Sequence, residues 1–289
     1  MSAIDLQSHS RHSDGELEAS AVVAAAAFAG VEVLALSDHD TVDGVEEALG
    51  AAREHGVRLL RATEISAVDA GYEDLHVLGY GIDHNDELLL ERLRGAREDR
   101  ELRAARMGAL LAQAGYAVDD APLAARRAAG KPIGRPHLAA AVIAHPDNAA
   151  RLAAEGHADV TSFIRAWLIP GMPAYAGRTR PTVAEAIGWV HDAGGLAFWA
   201  HPFWDIGVDD EVLAAIERYR ESGLDGVECC YVTHDERQTR LLARRCEQLG
   251  LLRSASSDYH GPEHRLFSRF LAYDCHGLEP VLGPLLDGA

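Results

Sequence analysis

The chain has 289 residues, of which 48% are hydrophobic and 25% are charged. This balance is ordinary for a globular protein and excludes disorder for the bulk of the chain. The 27 basic residues are outnumbered by 45 acidic ones, which gives a formal net charge of −18. Such a charge argues against broad contact with the phosphate backbone of a long nucleic acid, although metal ions and a few arginines can still hold a small anionic substrate.

No apolar run in the sequence approaches the roughly 18 residues needed to span a membrane. Ile4, Asp5 and Leu6 follow the first residues without a basic segment or a long apolar stretch, so we expect no secretory signal. The 4 cysteines show no CxxC spacing. Cysteines that are few and unpatterned favour reduced thiols over a disulfide framework, and we therefore expect a cytoplasmic protein.

Short apolar runs rich in β-branched residues alternate with alanine-rich helical stretches. In chain order, the predicted elements are strand 4–6, helix 18–30, strand 33–37, helix 45–55, strands 58–62 and 75–80, helix 183–193, strand 196–200, helix 211–222, strand 226–230, helix 235–249, and strands 252–256 and 266–273. Glycines at or just after several helix ends are typical of C-caps. This alternation predicts an α/β fold of βα units with a parallel sheet, and about seven units favour a barrel over an open sheet.

The alternation of strands and helices breaks between residues 87 and 172. A long charged helix is predicted over 86–115, followed by shorter helices over 123–129, 136–144 and 159–169. We interpret residues 87–172 as a helical insertion that covers the active site. Residues 1–86 and 173–289 then form the catalytic barrel, and the Gly-Pro-rich stretch 169–173 marks the return to it.

A set of side chains that can bind a metal lies in or after the predicted strands. The set comprises His9 and Asp14 after the first strand, His39 after the second, Glu64 after the third, His76 in the fourth, His201 after the fifth, and Asp258 and His260 after the seventh. The carboxyl ends of parallel barrel strands meet at one face, where active sites are built. Imidazoles and carboxylates suit zinc, manganese or iron, and so many ligands indicate two or three ions.

Each of these histidines could, taken alone, be an ordinary hydrogen-bonded side chain, and the pattern as a whole is what points to metal. Apart from His137 in the insertion, the remaining histidines of the 15 mostly fall in helices or loops outside this pattern, and we expect structural roles for them. They are His12, His55, His84, His145, His157, His191, His234, His264 and His276.

Seven motifs, in order along nearly the whole chain, resemble the signature of the PHP (polymerase and histidinol phosphatase) family of metal-dependent phosphoesterases. They are Asp5-Leu6-Gln7-Ser8-His9-Ser10, Ser13-Asp14-Gly15, Leu36-Ser37-Asp38-His39-Asp40, Glu64-Ile65-Ser66, His76-Val77-Leu78-Gly79-Tyr80, Ala200-His201-Pro202 and Ser257-Asp258-Tyr259-His260. The resemblance implies a distorted seven-stranded βα barrel with a trinuclear metal centre.

The resemblance also implies a distribution of ligands among the metal ions. One ion takes His9, Glu64 and Asp258, a second takes Glu64, His76 and His201, and a third takes Asp14, His39 and His260. Among these, Glu64, His201, Asp258 and His260 are the expected catalytic residues, because the ions they hold activate the attacking hydroxide and neutralise charge on phosphorus.

Gln7 departs from the family pattern, which has histidine at this position. Because strand side chains alternate with period two, Gln7 points to the same side as His9, and we include it among the metal ligands. An amide oxygen is a weaker ligand than imidazole for a transition metal. Whether two or three sites are filled is therefore left open by the sequence.

The insertion carries Gly134-Arg135-Pro136-His137, which resembles the branch of the family that acts on nucleotides, including nucleoside 3′,5′-bisphosphate phosphatases and short-RNA exonucleases. We expect Arg135, His137 and Arg178 to bind substrate, because the planar guanidinium matches phosphate oxygens. The predicted activity is hydrolysis of a small phosphate monoester. The resemblance implies that this substrate is a nucleotide, such as a nucleoside 3′,5′-bisphosphate or the end of a short oligonucleotide.

Three alternatives remain beside this prediction. Histidinol-phosphate phosphatase is disfavoured by the insertion and its Arg-Pro-His motif. A metal-binding or regulatory module without catalysis is supported only by Gln7. A nucleic-acid-binding module is disfavoured by the charge and by the lack of interleaved aromatic and basic residues. The sequence predicts neither a membrane partner nor an oligomeric state.

Overall fold

The structure, a computed structural model, describes residues 3–69, 71–128, 133–157, 159–177 and 181–286. The chain divides into two compact units, one formed by residues 1–94 with 180–289 and the other by residues 95–179. The helices of the described residues are α1 (Ala19–Phe28), α2 (Val45–His55), α3 (Glu87–Gln113), α4 (Asp120–Ala128), α5 (Arg135–Ile143), α6 (Ala149–Glu155), α7 (Val160–Trp167), α8 (Val183–Asp192), α9 (Pro202–Asp205), α10 (Asp209–Glu221) and α11 (Glu236–Leu249).

The first unit is built on one 7-stranded sheet whose strands follow each other in chain order. The strands are β1 (Ile4–Asp5), β2 (Val33–Leu36), β3 (Arg58–Asp69), β4 (Tyr72–Tyr80), β5 (Leu196–Trp199), β6 (Gly226–Tyr231) and β7 (Leu252–Ser256). The Leu6 amide donates to the Ala255 carbonyl over 3.1 Å, and Ser8 bridges Tyr259 in parallel. The first and last strands therefore nearly close the sheet, and the predicted seven-stranded βα barrel is confirmed.

The alternation of elements predicts a parallel sheet throughout, but the barrel contains one antiparallel strand. Strand β4 runs antiparallel to both β3 and β5, whereas the other neighbouring strands are parallel. Only a short turn containing Gly71, at φ 91°, separates β3 from β4. A parallel crossover needs a dozen or more connecting residues, so a hairpin is the only pairing that this spacing allows.

Strand β3 also extends seven residues beyond its predicted end at position 62. The polar pair Thr63 and Glu64 suggests a strand terminus, but both side chains are fully buried inside the hairpin, where Glu64 lies opposite Leu78. The predicted strand 266–273 is wrong. Leu271 adopts a left-handed φ of 57°, which interrupts an extended chain, and its amide donates to the Asp5 carboxylate instead of a neighbouring strand.

Side chains of β3 and β4 alternate between two cores. Leu60 and Ala62 on β3, with Leu78 and Tyr80 on β4, belong to an apolar cluster inside the barrel. Ile65, Ala67, Leu75 and Val77 face outward and pack with residues of α8, α10 and α11. Glu64 and His76 have the parity of the inward-facing set, so both project inward just beyond the apolar layer.

The cysteine prediction needs correction. The structure joins Cys230 on β6 to Cys275 in a disulfide, while Cys229 and Cys246 are buried free thiols. The Cα atoms of the bonded pair are 5.1 Å apart, which is an ordinary separation for a disulfide. The last segment of the chain returns to β6, and that proximity cannot be read from the spacing of cysteines along the sequence.

The second unit is helical. Its core contains Leu111 of α3, Val142 of α5 and Phe163 of α7, which pack with Tyr116 in the connection after α3. The guanidinium of Arg151 lies 3.9 Å from the centroid of the Tyr116 ring, a cation–π arrangement. Helix α6 was not predicted, because its alanine-rich turns follow α5 after a short 3₁₀ helix and show no separate apolar pattern.

Among the described residues, no helix combines the length and the apolar character that crossing a bilayer requires. The expected cytoplasmic location stays a prediction.

Candidate metal centre

The metal-competent side chains predicted from the sequence meet at one end of the barrel. Gln7 and His9 follow β1, and Asp14 lies in the loop after them. His39 follows β2, Glu64 and His76 lie within the β3–β4 hairpin, and His201 follows β5. Asp258 and His260 follow β7. Because β4 runs in the opposite direction, its ligand lies in its first half, whereas the ligands of the parallel strands come after their last residues.

Two of these residues occupy strained backbone positions. His201 has a φ of 30° and Asp258 a φ of 53°, in the left-handed region that non-glycine residues rarely adopt. Such a conformation costs on the order of 1–3 kcal/mol and persists only where neighbouring contacts enforce it. At His201 the enforcing contact is a 2.8 Å hydrogen bond from its backbone amide to the buried Glu228 carboxylate. The strain turns each side chain into the barrel mouth immediately after its strand ends.

Glu64 is the centre of the arrangement. Its Oε1 lies 3.0 Å from His76 Nδ1 and 3.1 Å from His201 Nε2. Its Oε2 lies 3.1 Å from His9 Nε2 and 3.7 Å from His39 Nδ1. The two oxygens therefore face two different sets of imidazoles, as a bridging carboxylate requires.

The other carboxylates extend the cluster on the His9 side. Asp258 Oδ1 lies 3.0 Å from His9 Nε2 and 3.6 Å from His260 Nδ1. Asp14 contacts His9, His39 and His260 at 3.7, 3.7 and 3.5 Å. Three overlapping groups of donor atoms result, in which the atoms of a group lie within 4.8 Å of one another. They are His9, Asp14, His39 and His260; His39, Glu64 and His76; and His9, Glu64 and Asp258.

Several donor atoms have no hydrogen-bond partner among the described residues although they are buried. They are both ring nitrogens of His9, Nδ1 of His39, Nδ1 of His201 and Oδ1 of Asp258. Leaving a buried polar atom unpaired costs free energy, so atoms of this kind are suited to binding a partner such as an ion. Four of these five atoms belong to residues of the three ligand groups, which fits divalent metal ions.

The pKa values of these groups reflect mutual charge stabilisation. Burial raises the pKa of Glu64, but His39, His76 and His201 outweigh it and hold the pKa well below its usual range. Burial lowers the pKa of His39 to about 4, so this imidazole is neutral at pH 7. Burial also lowers the pKa of His201, but the neighbouring Glu64 carboxylate outweighs burial and raises this pKa to about 9. Ionised carboxylates and neutral imidazoles are the forms that bind metal.

Gln7 is fully buried and faces the cluster, as its position two residues before His9 predicts. Its amide nitrogen donates a 2.8 Å hydrogen bond to Glu64 Oε2, and its amide oxygen accepts one of 3.3 Å from the Ser256 hydroxyl. Gln7 therefore contacts the central ligand directly.

The sequence interpretation missed the residues that hold these ligands in place. Tyr231 donates a 2.8 Å hydrogen bond to Asp258 Oδ2, and Glu228 supports His201 as described above. Asp38 accepts hydrogen bonds from the Ser10 amide and from the hydroxyls of Ser10 and Ser13, which fixes the loop between His9 and Asp14. Glu228 could have been identified from the sequence. A carboxylate inside the apolar strand Gly226–Tyr231 is expected to be buried, and a buried carboxylate needs hydrogen-bond partners.

The substrate-binding residues predicted in the insertion lie apart from the barrel in sequence. Arg135 is the first residue of α5 and His137 follows in its first turn, where the His137 Nδ1 accepts a 3.0 Å hydrogen bond from the Gly134 amide. Arg178 lies outside the described residues. The assignment of these three residues to substrate, and of the insertion as a cover for the site, stays a prediction.

A cavity of about 430 Å³ lies elsewhere in the barrel unit. Its lining includes Leu59, Arg61, Gly81 and Leu196, which lie at the amino-terminal ends of the parallel strands and at the carboxyl end of β4. This cavity contains none of the metal-competent residues. The metal-competent residues lie at the opposite end of the barrel.

Comparison with known proteins places this geometry in a family. Residues 5–120 match the PHP domain. The chain is 35% identical to a 3′,5′-nucleoside bisphosphate phosphatase of Chromobacterium violaceum, over 91% of this chain and 88% of that protein. It is 33% identical to a 5′-3′ exoribonuclease of Haemophilus influenzae, over 89% of this chain and 90% of that protein.

A solved structure from Bifidobacterium adolescentis, named as a candidate metal-dependent phosphoesterase, superimposes with a TM-score of 0.72 at 28% identity. The alignment covers 92% of this chain and 90% of that one. The resemblance drawn from the motifs is thus confirmed over nearly the full length. With its barrel, its converging histidines and carboxylates, and relatives of this similarity, the chain belongs to the PHP domain family.

Proposed function

We propose that this protein is a metal-dependent phosphoesterase that hydrolyses a phosphate monoester of a nucleotide, such as a nucleoside 3′,5′-bisphosphate or the end of a short oligonucleotide. The observation that carries this proposal is the convergence of three overlapping ligand groups at the carboxyl end of the barrel, two of which share Glu64. The names of the relatives from C. violaceum and H. influenzae support nucleotides as the substrate class.

The proposed cofactors are two or three divalent ions of manganese, iron or zinc, held by the nine residues predicted from the sequence. Such ions supply a hydroxide at neutral pH and stabilise negative charge on the transferring phosphoryl group. The chain supplies the rest. Glu64 ties the two sides of the site together through its two oxygens, and Asp258 and His260 define the side nearest His9. Glu228 and Tyr231 hold His201 and Asp258 in fixed orientations.

Substrate recognition is proposed to involve Arg135, His137 and Arg178. The support is the family-like Gly134-Arg135-Pro136-His137 motif and the match between a guanidinium and phosphate oxygens. In this proposal the insertion covers the metal centre, which would confine the substrate to a small molecule or a chain end. A site of this kind fits a small phosphorylated substrate and not a long nucleic acid.

The experiment is a phosphate-release assay with purified protein, repeated with each metal. The substrates are adenosine 3′,5′-bisphosphate, mononucleotides, a short 5′-phosphorylated RNA, ribose 5-phosphate and histidinol phosphate. We expect the nucleotides to give the highest kcat/KM. Histidinol phosphate as the best substrate would support the alternative phosphatase. Bound metal without release from any substrate would support a non-catalytic module.

Two variants make the assay specific to the proposed centre. Glu64→Ala should abolish turnover and lower the metal content by more than one equivalent, because Glu64 belongs to two of the ligand groups. Glu54→Gln on the exposed face of α2 is the matched control and should behave as wild type. An unchanged metal content in Glu64→Ala would remove Glu64 from the bridging position.

A further inference from the structure

Three rings form a continuous aromatic wall beside the metal centre. Trp204 lies on α9, three residues after His201, and His264 and Phe267 follow His260. The Trp204 and Phe267 ring centroids are 5.7 Å apart, and those of Phe267 and His264 are 5.1 Å apart with nearly parallel planes. We call Trp204, His264 and Phe267 the aromatic wall.

The wall adjoins a predicted metal ligand directly. The His260 ring centroid lies 5.4 Å from that of Phe267 and 5.1 Å from that of His264. The backbone supports the same position, because the His260 amide donates to the Phe267 carbonyl over 2.9 Å and the Phe267 amide donates to His264 Nδ1 over 3.0 Å. At the other end, the Trp204 amide donates to the His201 carbonyl over 2.8 Å. The wall is thus anchored to two ligand-bearing turns.

Exposure distinguishes the two large rings of the wall. Phe267 is only 8% exposed, whereas Trp204 is 52% exposed although it packs against Phe267. A large aromatic ring left in water forgoes much of the free energy that burial would provide. An exposed indole backed by a buried ring is a ready stacking surface, and this one lies within two ring contacts of the metal centre.

We propose that the aromatic wall stacks on the base of the nucleotide whose phosphate is hydrolysed at the metal centre. This inference rests on the proposed function. Every nucleobase has a π face, so stacking distinguishes nucleotides from sugar phosphates without selecting one base by hydrogen bonds. The wall therefore makes the protein tolerant of base identity, with purines favoured over pyrimidines because their rings offer more stacking area.

The kinetic test compares adenosine 3′,5′-bisphosphate with ribose 5-phosphate, which lacks a base. Base stacking on an aromatic side chain is worth about ten- to a hundredfold in affinity. We expect Trp204→Ala to raise KM for the adenosine substrate by about that factor, and to change kcat/KM for ribose 5-phosphate far less. Trp204→Phe should recover most of the loss, since a smaller ring still stacks. Equal effects of Trp204→Ala on both substrates would overturn the proposal.

Phe28→Ala is the matched control. Phe28 is an exposed aromatic residue at the end of α1, shortly before β2 begins, and so at the end of the barrel away from the metal centre. We expect wild-type kinetics on both substrates. A similar rise in KM in this variant would show that loss of any exposed ring perturbs the protein generally, and would also overturn the proposal.

A binding measurement separates this inference from the proposed function. If the wild-type protein releases no phosphate from any nucleotide, the proposed function fails, and the wall is then tested by calorimetric titration of the metal-loaded protein. Tighter binding of adenosine monophosphate than of ribose 5-phosphate, lost in Trp204→Ala and kept in Trp204→Phe, supports the wall. Equal affinities for the two ligands in the wild type would refute it.

Discussion

The amide nitrogen of Gln7 donates a hydrogen bond of 2.8 Å to Glu64 Oε2 in a fully buried environment. The contact belongs to a closed ring of interactions. The Ser256 hydroxyl oxygen lies within hydrogen-bond distance of both Gln7 Oε1 and Glu228. Glu228 accepts from the His201 amide, and the His201 ring lies 3.1 Å from Glu64 Oε1. The residue that departs from the family pattern is thus linked to the central ligand from both sides.

Replacing Gln7 by histidine tests whether this position reaches a metal. Imidazole is a stronger ligand than an amide oxygen for a transition metal. We expect Gln7→His to raise metal occupancy, or to shift the metal preference towards zinc, in elemental analysis of both proteins after the same dialysis. Equal occupancy and an identical metal profile would mean that Gln7 acts through its hydrogen bond to Glu64 alone.

Glu228 should position His201 without contacting substrate. Glu228→Ala leaves the buried His201 amide without its acceptor, which costs about 1–3 kcal/mol of stability, and we expect metal affinity to fall by about ten- to a hundredfold. Glu228→Gln keeps an acceptor oxygen at the same place and should retain most of the metal affinity. Metal titration and thermal melts of both variants make the comparison. Equal metal affinity in Glu228→Ala and wild type would exclude the positioning role.

Arg135 is the proposed contact between the insertion and a substrate phosphate. Arg135→Ala should lower kcat/KM by about ten- to a hundredfold, equivalent to roughly 1.4–2.7 kcal/mol of transition-state stabilisation, with metal content unchanged. Arg165→Ala, an exposed arginine on α7 of the same unit, serves as the control. Unaltered kinetics in Arg135→Ala on the best substrate would place this guanidinium away from the phosphate.

The metal-free protein should lose stability as the pH rises from about 6.5 to about 9. A histidine whose pKa is raised on folding stabilises the fold below its ordinary pKa, and this stabilisation disappears as the pH passes the folded value. The Glu64 carboxylate overcomes burial to raise the pKa of His201 to about 9. Burial raises the pKa of Glu228 to about 8, so ionisation of this buried carboxyl also lowers the stability as the pH rises.

Metal should reverse this trend, because the imidazoles must be neutral to bind it. We expect the increase in Tm on adding metal to grow across the same pH range, with proton release visible in calorimetry performed in buffers of different ionisation enthalpy. His191→Gln, whose side chain pairs with Asp225 near the amino-terminal ends of β5 and β6, should keep the wild-type pH dependence. A metal-induced rise in Tm that is independent of pH would contradict the predicted protonation of His201.

The sequence predicts most of the barrel because its local signals agree with its topology. Helix α2 is predicted with its observed bounds, since Gly56 at φ 69° ends it in the left-handed conformation that glycine favours. The reversal of β4 follows from the short turn after β3 and not from residue pattern, because buried strands of either direction show similar apolar runs. The segment 266–273 shows that an apolar pattern can also occur without a strand. Its apolar side chains pack against the barrel unit, and the Leu271 amide donates to the Asp5 side chain instead of to a neighbouring strand.

For the metal centre, residue type and position after a strand were sufficient to identify side chains that the structure brings together. Contacts between residues far apart in the chain could not be predicted from the sequence. Ser256 and Gln7 are 249 positions apart, and their hydrogen bond depends on barrel closure. The position of His264 could not be predicted either. We expected a structural role for it, but its ring lies against that of His260.

The β3–β4 hairpin makes the ligand groups unequal in how they can release an ion. Glu64 and His76 lie within a paired ladder, whereas Asp14, His39 and His260 lie in loops, and the Asp14 side chain is 42% exposed. Loops open by local fluctuations at little cost, while a central ladder opens only with much of the fold. An ion held by the loop group is therefore expected to exchange with solvent faster than an ion held between Glu64 and His76.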